Sequence, residues 1–75
     1  MKWLMTYLTM QNLESKTLIE NDAIWYVQVY DENQIVFIQK NDDDSYYLKS
    51  TIRSEGYETK DFEKLKVWIR VYFEL

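Results

Sequence analysis

The sequence predicts an α+β fold, in which an antiparallel β-meander of three to four strands is covered on one face by a C-terminal helix. β-branched and aromatic residues alternate over 23–30 and 35–40, as in strands with one buried face. Short polar segments at 31–34 and 41–44 separate the apolar runs and predict hairpin turns. Helix-start residues precede an apolar stripe in 59–75. The stripe would bury the open face of the meander.

The N-terminal segment 2–10, KWLMTYLTM, fits two structures. Its Trp, Tyr and Thr residues alternate with apolar residues, which favours a strand. Leu4 and Leu8 are also one helical turn apart, so a short helix is the competing interpretation. We expect residues 11–16 to form a connection, and 17–21 to form either a short strand or part of the same loop.

The central segment 23–40 has the clearest pattern in the chain and predicts a β-hairpin around 31–34. One predicted face of its first strand carries Trp25, Val27 and Val29, and the other carries Tyr26, Gln28 and Tyr30. A further strand is expected at 45–53, with Tyr46 and Tyr47 on opposite faces because successive strand residues alternate.

The C-terminal third has the only glycine and an ambiguous segment. We expect 54–56 to be a turn in which Gly56 has a positive φ. Residues 59–75 fit a helix capped by Thr59 or Asp61, and they also alternate as a strand would. A strand there would make the chain an all-β, small, SH3-like five-stranded barrel.

Composition limits the chemistry that the chain can perform. The 75 residues fit a single domain, 1–75, and include neither cysteine nor histidine. Disulfides, ordinary zinc sites and histidine- or cysteine-based catalysis are therefore excluded. Phosphate-loop glycines are missing as well. We predict no enzyme activity, no cofactor and no metal, and the lack of cysteine and of a leader or membrane segment predicts a cytoplasmic protein.

The net charge is −4, which argues against direct binding of duplex DNA. Acidic residues are concentrated in 1–48, where eight acids face three bases. Alternate turns of a meander lie at one end of its sheet, so the topology predicts a shared acidic rim. Its members would be Glu20, Asp22, Asp42, Asp43 and Asp44. Three interpretations apply to the run Asp42–Asp44: a solvated turn, a Ca²⁺ loop that lacks the usual glycine and distal glutamate, or a patch for a basic partner.

Tyr47 and the neighbouring sheet tyrosines would add buried contact to such a patch. In size, acidity, Asn/Lys/Ile/Tyr bias and the run Asp42–Asp44, the chain resembles small phage-encoded anti-defence proteins, the anti-CRISPR proteins among them. The resemblance covers no alignable segment and implies no residue roles. It implies an inhibitor that binds stoichiometrically to the basic surface of a nucleic-acid-binding protein or nuclease complex.

Two other classes of function remain open at this point. One is a structural homodimer formed through a strand edge or the C-terminal aromatic segment. The other is a small single-strand nucleic-acid binder, in which sheet tyrosines stack on bases and Lys40, Lys49 or Arg53 contacts phosphate.

Overall fold

The computed structural model describes residues 2–75 and contains one five-stranded antiparallel sheet and two helices. The strands lie side by side in chain order, so each is joined to the next by a hairpin. The elements are α1 (Lys2–Met10), β1 (Glu14–Glu20), β2 (Trp25–Tyr30), β3 (Ile35–Lys40), β4 (Tyr46–Ser50), β5 (Tyr57–Thr59) and α2 (Phe62–Phe73). The predicted α+β meander with a C-terminal helix is confirmed, and the five-stranded barrel is wrong.

The segment 2–10 is a helix, so the preferred strand prediction is wrong there. Leu4 and Leu8 are fully buried on its inner side, as the helical spacing between them allows. The hydroxyls of Thr6 and Thr9 donate to carbonyls four residues earlier. Both threonines therefore satisfy their hydroxyl donors within the helix. Leu, Met and Lys are good helix formers.

The connection expected at 11–16 is shorter than predicted, because β1 already begins at Glu14. Helix α1 ends in a Schellman motif: Leu13 N–H donates to the Leu8 carbonyl, and Asn12 N–H donates to the Thr9 carbonyl. Asn12 has φ 60°, the left-handed conformation that this motif requires. The turn brings the chain directly back into the edge strand.

Both helices cover the same face of the sheet and enclose the core. The inward residues of β2, β3 and β4 meet the buried leucines of α1 and the apolar stripe of α2. The fully buried side chains are Leu4, Leu8, Val27, Val29, Val36, Ile38, Leu48, Leu65 and Ile69. The helices touch each other where the Trp3 and Phe62 rings lie 4.2 Å apart. Neither helix of residues 2–75 is long and apolar enough to cross a membrane.

The predicted C-terminal helix is confirmed, but it begins at Phe62, within the predicted segment 59–75 rather than at its start. Asp61 is the N-cap, and its carboxylate accepts the backbone N–H of Glu63 at 2.9 Å, as predicted. The residues before it form β5, a short strand that the sequence did not indicate. The strand expected over 45–53 ends at Ser50, because the Ser50 hydroxyl accepts the N–H of Ile52 and bends the chain.

Gly56 does not have a positive φ, so the reason expected for the only glycine is wrong. Its lack of a side chain makes room for the Tyr47 ring, which lies directly against its Cα. Positive φ values occur instead at Asn12, Asp44 and Glu74. Asparagine tolerates this region, as does aspartate. Glu74 adopts it in the cap that ends α2.

Asparagine and aspartate side chains build all three tight hairpin turns of the sheet. The side chain of Asn21 accepts the N–H groups of Ala23 and Ile24, and that of Asp31 accepts those of the two residues at 33–34. Asp43 does the same for Ser45. These side chains satisfy turn donors locally, which explains how a chain with one glycine and no proline folds into a meander.

Candidate protein-interaction surface

The five predicted acidic residues lie at one end of the sheet. Trp25 of β2 pairs with Glu20 and with Lys40, and Lys40 pairs in turn with Tyr46. The β1–β2 and β3–β4 turns therefore leave the sheet side by side, as the meander topology predicts. Glu20, Asp22, Asp42, Asp43 and Asp44 are all exposed. We call these five residues the acidic end.

Lys40 joins the two turns of the acidic end, a role that the sequence analysis missed. Its Nζ donates to the carbonyl oxygen of Ala23 at 3.0 Å and lies 3.1 Å from Asp44 Oδ1. The first contact reaches the neighbouring turn, and the second neutralises one aspartate. The only sequence signal was a lysine four residues before an aspartate, a spacing that reports nothing about the β1–β2 turn.

The three consecutive aspartates have three different environments. Asp43 Oδ1 accepts both the N–H of Ser45 at 3.0 Å and its hydroxyl at 2.6 Å. Asp44 has φ 66° and its N–H donates to the Asn41 carbonyl at 3.1 Å, so it provides the left-handed residue that follows the turn. Asp42 makes no side-chain hydrogen bond or ion pair within residues 2–75. The turn itself therefore uses two of the three aspartates.

Electrostatics at the turn favour ionised aspartate. The two hydrogen bonds from Ser45, with a smaller contribution from the positive charge of Lys60, hold the pKa of Asp43 below its ordinary value. Hydrogen bonds to a carboxylate stabilise its charged form. Asp43 thus stays negative to a lower pH than a free aspartate, and the acidic end keeps that charge throughout the neutral range.

A shallow apolar depression lies between the two acidic turns. It has a volume of about 160 Å³ and is lined by Ile19, Ile24, Trp25, Tyr26, Gln39, Lys40 and Asn41. Ile19 is 48% exposed, which is unusual for isoleucine in a strand. A bulge in β1 between Thr17 and Ile19 turns this side chain towards Tyr26, its cross-strand partner. The acidic end therefore adjoins an apolar surface.

Tyr47 does not join the acidic end. It faces the side of the sheet opposite the helices, in one cross-strand row with Gln39 and Tyr26. Its ring leans across β5 onto Gly56, which precedes β5 at the far end of the sheet. The predicted interaction residues thus separate into a contiguous group of five carboxylates and one tyrosine that packs elsewhere. Tyr26 is the tyrosine that borders the depression.

No group of three or more acidic side chains within residues 2–75 is placed to hold a metal ion. Two of the five carboxylates of the acidic end are already engaged, Asp43 by Ser45 and Asp44 by Lys40. A concavity of about 570 Å³ lies at the opposite end of the sheet, between the β4–β5 loop and α2. It shares no residue with the acidic end.

No family model, no curated protein and no solved structure matches this chain.

Proposed function

We propose that this chain is a non-catalytic, protein-binding inhibitor whose acidic end docks on the basic surface of a nucleic-acid-binding protein. Occupying that surface would block the nucleic acid that normally lies there, so inhibition would be stoichiometric. The resemblance to small acidic phage-encoded anti-defence proteins favours the same outcome. The expected partner is a nuclease complex or another nucleic-acid-handling protein of the host cell.

One observation supports this proposal above the others: two acidic turns flank an apolar depression. An arginine or lysine side chain has an apolar stem and a charged tip. Its methylenes would cover Ile19 and Tyr26, and its charge would lie among the carboxylates of the turns. A volume of about 160 Å³ suits a single side chain. A turn that served only to connect two strands would not require an exposed isoleucine beside it.

The carboxylates of the acidic end differ in how far the fold already uses them. Asp43 is occupied by Ser45, and Asp44 shares its charge with Lys40. Glu20, Asp22 and Asp42 form no ion pair within the described residues 2–75. These three exposed charges would supply most of the attraction, which steers association and weakens as salt screens it.

The experiment compares two variants that each remove three negative charges. The first is E20Q/D22N/D42N, which removes the three carboxylates of the acidic end that form no ion pair, and the second, at the opposite end of the sheet, is E14Q/D31N/E32Q. Asparagine keeps the side-chain oxygen that accepts the turn hydrogen bonds and also tolerates φ > 0, so both proteins should fold. Each is used to capture partners from host lysate at low and moderate salt, and the recovered protein is then titrated directly.

We expect the wild type and the E14Q/D31N/E32Q control to bind the same nucleic-acid-handling protein and to inhibit it at a one-to-one ratio. The E20Q/D22N/D42N variant should bind more weakly, with a smaller salt dependence. Equal affinity for both variants would show that the acidic end is not the interface. Capture of no protein at low salt would also exclude the proposed function.

Self-association through the sheet edge is the weaker alternative. The long edge strand, β1, carries Glu14, Lys16 and Glu20 and contains a bulge. Charges and bulges on an edge strand oppose pairing with another chain. The other edge, β5, has only three residues and offers few backbone groups for pairing.

A further inference from the structure

The side of the sheet opposite the helices is uncovered and rich in aromatic residues. We call it the outer face. Cross-strand partners point to the same side, so the register identifies its members. From the three central strands they are Tyr26, Gln28, Tyr30, Ile35, Phe37, Gln39, Tyr47 and Lys49. All eight side chains are partly exposed.

At the centre of the outer face two rings form a flat platform. Tyr26 and Phe37 lie with their ring centroids 5.8 Å apart and their planes within 22° of parallel. Gln28 and Gln39 are their cross-strand partners, which places side-chain amides beside both rings. Amides both donate and accept hydrogen bonds, so they can pair with the polar edge of a planar ligand stacked on the rings.

Positive charge on the outer face is confined to one cross-strand row. The three central strands place no carboxylate on this side, while the edge strands add Glu14, opposite Tyr30, and Glu58, opposite Tyr47. Lys16 and Lys49 belong to one cross-strand row, with Gln28 and Phe37 between them. Lys16 is exposed and Lys49 donates to the Arg53 carbonyl. Within residues 2–75 neither lysine pairs with a carboxylate.

We propose that the outer face binds single-stranded nucleic acid, with bases stacked on Tyr26 and Phe37 and phosphates at Lys16 and Lys49. Aromatic side chains on an open sheet stack bases without strong sequence preference. The two lysines are separated by three β-strand spacings, about 14 Å. A single-stranded nucleic acid that contacts both lysines would therefore pass over Phe37. The β1–β2 and β3–β4 turns leave the sheet at one end, three residues from that row along β2, and the β2–β3 turn with Asp31 and Glu32 leaves at the other end, two residues from it.

A second copy of the chain is the competing occupant, and the area of the face argues against it. Five strands of about six residues cover roughly 24 Å by 20 Å, or about 480 Å². A stable interface buries about 800 Å² on each partner. The outer face alone is too small for a stable dimer, whereas a few nucleotides need only the rings and the two lysines.

The test is fluorescence anisotropy with a labelled eight-nucleotide oligo(dT), titrated over a range of salt concentrations. For two phosphate contacts on a single strand, the log–log slope of affinity against salt should be about −1.4. Lys16→Gln should reduce it to about −0.7. Lys64→Gln is the matched control, since Lys64 is exposed on α2 and lies away from the outer face; it should leave the slope unchanged.

Stacking is tested separately. Phe37→Ala should weaken binding by about tenfold, within the range measured for one stacked base. Its folding is checked by circular dichroism, and Lys16→Gln provides an independent result if Phe37→Ala unfolds. Three outcomes would overturn the proposal: no binding at low salt, equal effects of Lys16→Gln and Lys64→Gln, or a solution dimer that Phe37→Ala dissociates. None of these outcomes bears on the acidic end.

Discussion

Replacement of Gly56 by alanine tests whether the Tyr47 ring is a packing element of the sheet. A Cβ added at Gly56 would lie 2.5 Å from Cζ and 2.9 Å from Cε2 of Tyr47, well inside van der Waals contact. The backbone of Gly56 has no positive φ, so alanine fits it without strain. The Tyr47 ring is therefore the obstacle in the folded state.

Two opposing effects set the size of the change. Pressing a methyl group against the ring forces one of them to move, and such overpacking costs about 1–3 kcal/mol. Alanine also restricts the unfolded chain, which stabilises the protein by about 0.4–1 kcal/mol. Gly56→Ala should therefore lower the free energy of unfolding by up to about 2.6 kcal/mol. For a chain of this size that corresponds to a fall in Tm of about 4–8 °C per kcal/mol.

The sign should reverse when the ring is removed. In a Tyr47→Ala background the added methyl group meets no ring, so Gly56→Ala should raise the free energy of unfolding by about 0.4–1 kcal/mol. Urea unfolding of the four proteins closes a double-mutant cycle. If Gly56→Ala has the same effect in both backgrounds, the ring does not rest on Gly56. A free Tyr47 would then be available to a partner, as the sequence analysis predicted.

Further predictions concern the buried amide and the titrating groups. Gln34→Ala should destabilise the protein by about 1–3 kcal/mol, because Gln34 Nε2 donates to the buried Tyr72 carbonyl at 2.6 Å; urea unfolding that shows no loss would contradict this. Asp43→Ala should lower Tm more than Asp42→Ala does, since only Asp43 accepts hydrogen bonds in the turn; calorimetry showing equal shifts would refute it. Because the pKa of Asp43 is lowered in the folded state, its ionised carboxylate stabilises the fold above pH about 4. This stabilisation is lost as pH falls through the folded-state pKa. Ser45→Ala removes the hydrogen bond from the Ser45 hydroxyl, so the decrease of Tm at acidic pH should become less steep. Burial raises the pKa of Tyr72, so stability should fall as pH rises above about 10, and Tyr72→Phe should remove that dependence.

The sequence predicted the centre of the fold well and its N-terminal part poorly. In β2 and β3 the alternation is carried by β-branched and aromatic residues, whose strand preference agrees with their periodicity. Residues 2–10 satisfy both periods at once, since Leu4 and Leu8 also belong to every second position. Only the tertiary requirement that β1 occupy the sheet edge, with a helix above it, decides between the two structures.

The acidic end was predictable because it depends on topology alone. Any meander brings alternate turns to one end, so the positions of Asp22 and Asp42 followed once the hairpins were assigned. The contact between Lys40 and the Ala23 carbonyl was not predictable, because it joins residues that are 17 positions apart. The orientation of Tyr47 was not predictable either. It depends on the short strand β5, which is too short to show a periodic pattern in the sequence.

Turn chemistry sets how much of the acidity is available for binding. With a single glycine and no proline, the hairpins must obtain their local acceptors and left-handed residues from asparagine and aspartate. Asp31, Asp43 and Asp44 are therefore accounted for by the fold, and their number is no evidence of a binding surface. Asp42 has no such role, because the turn is complete without its carboxylate. The proposed interface depends on its charge together with those of Glu20 and Asp22 beside the apolar depression. A partner that binds here must respond to Asp42→Asn as well as to the triple variant, whereas an effect confined to Asp43→Asn would be one of folding.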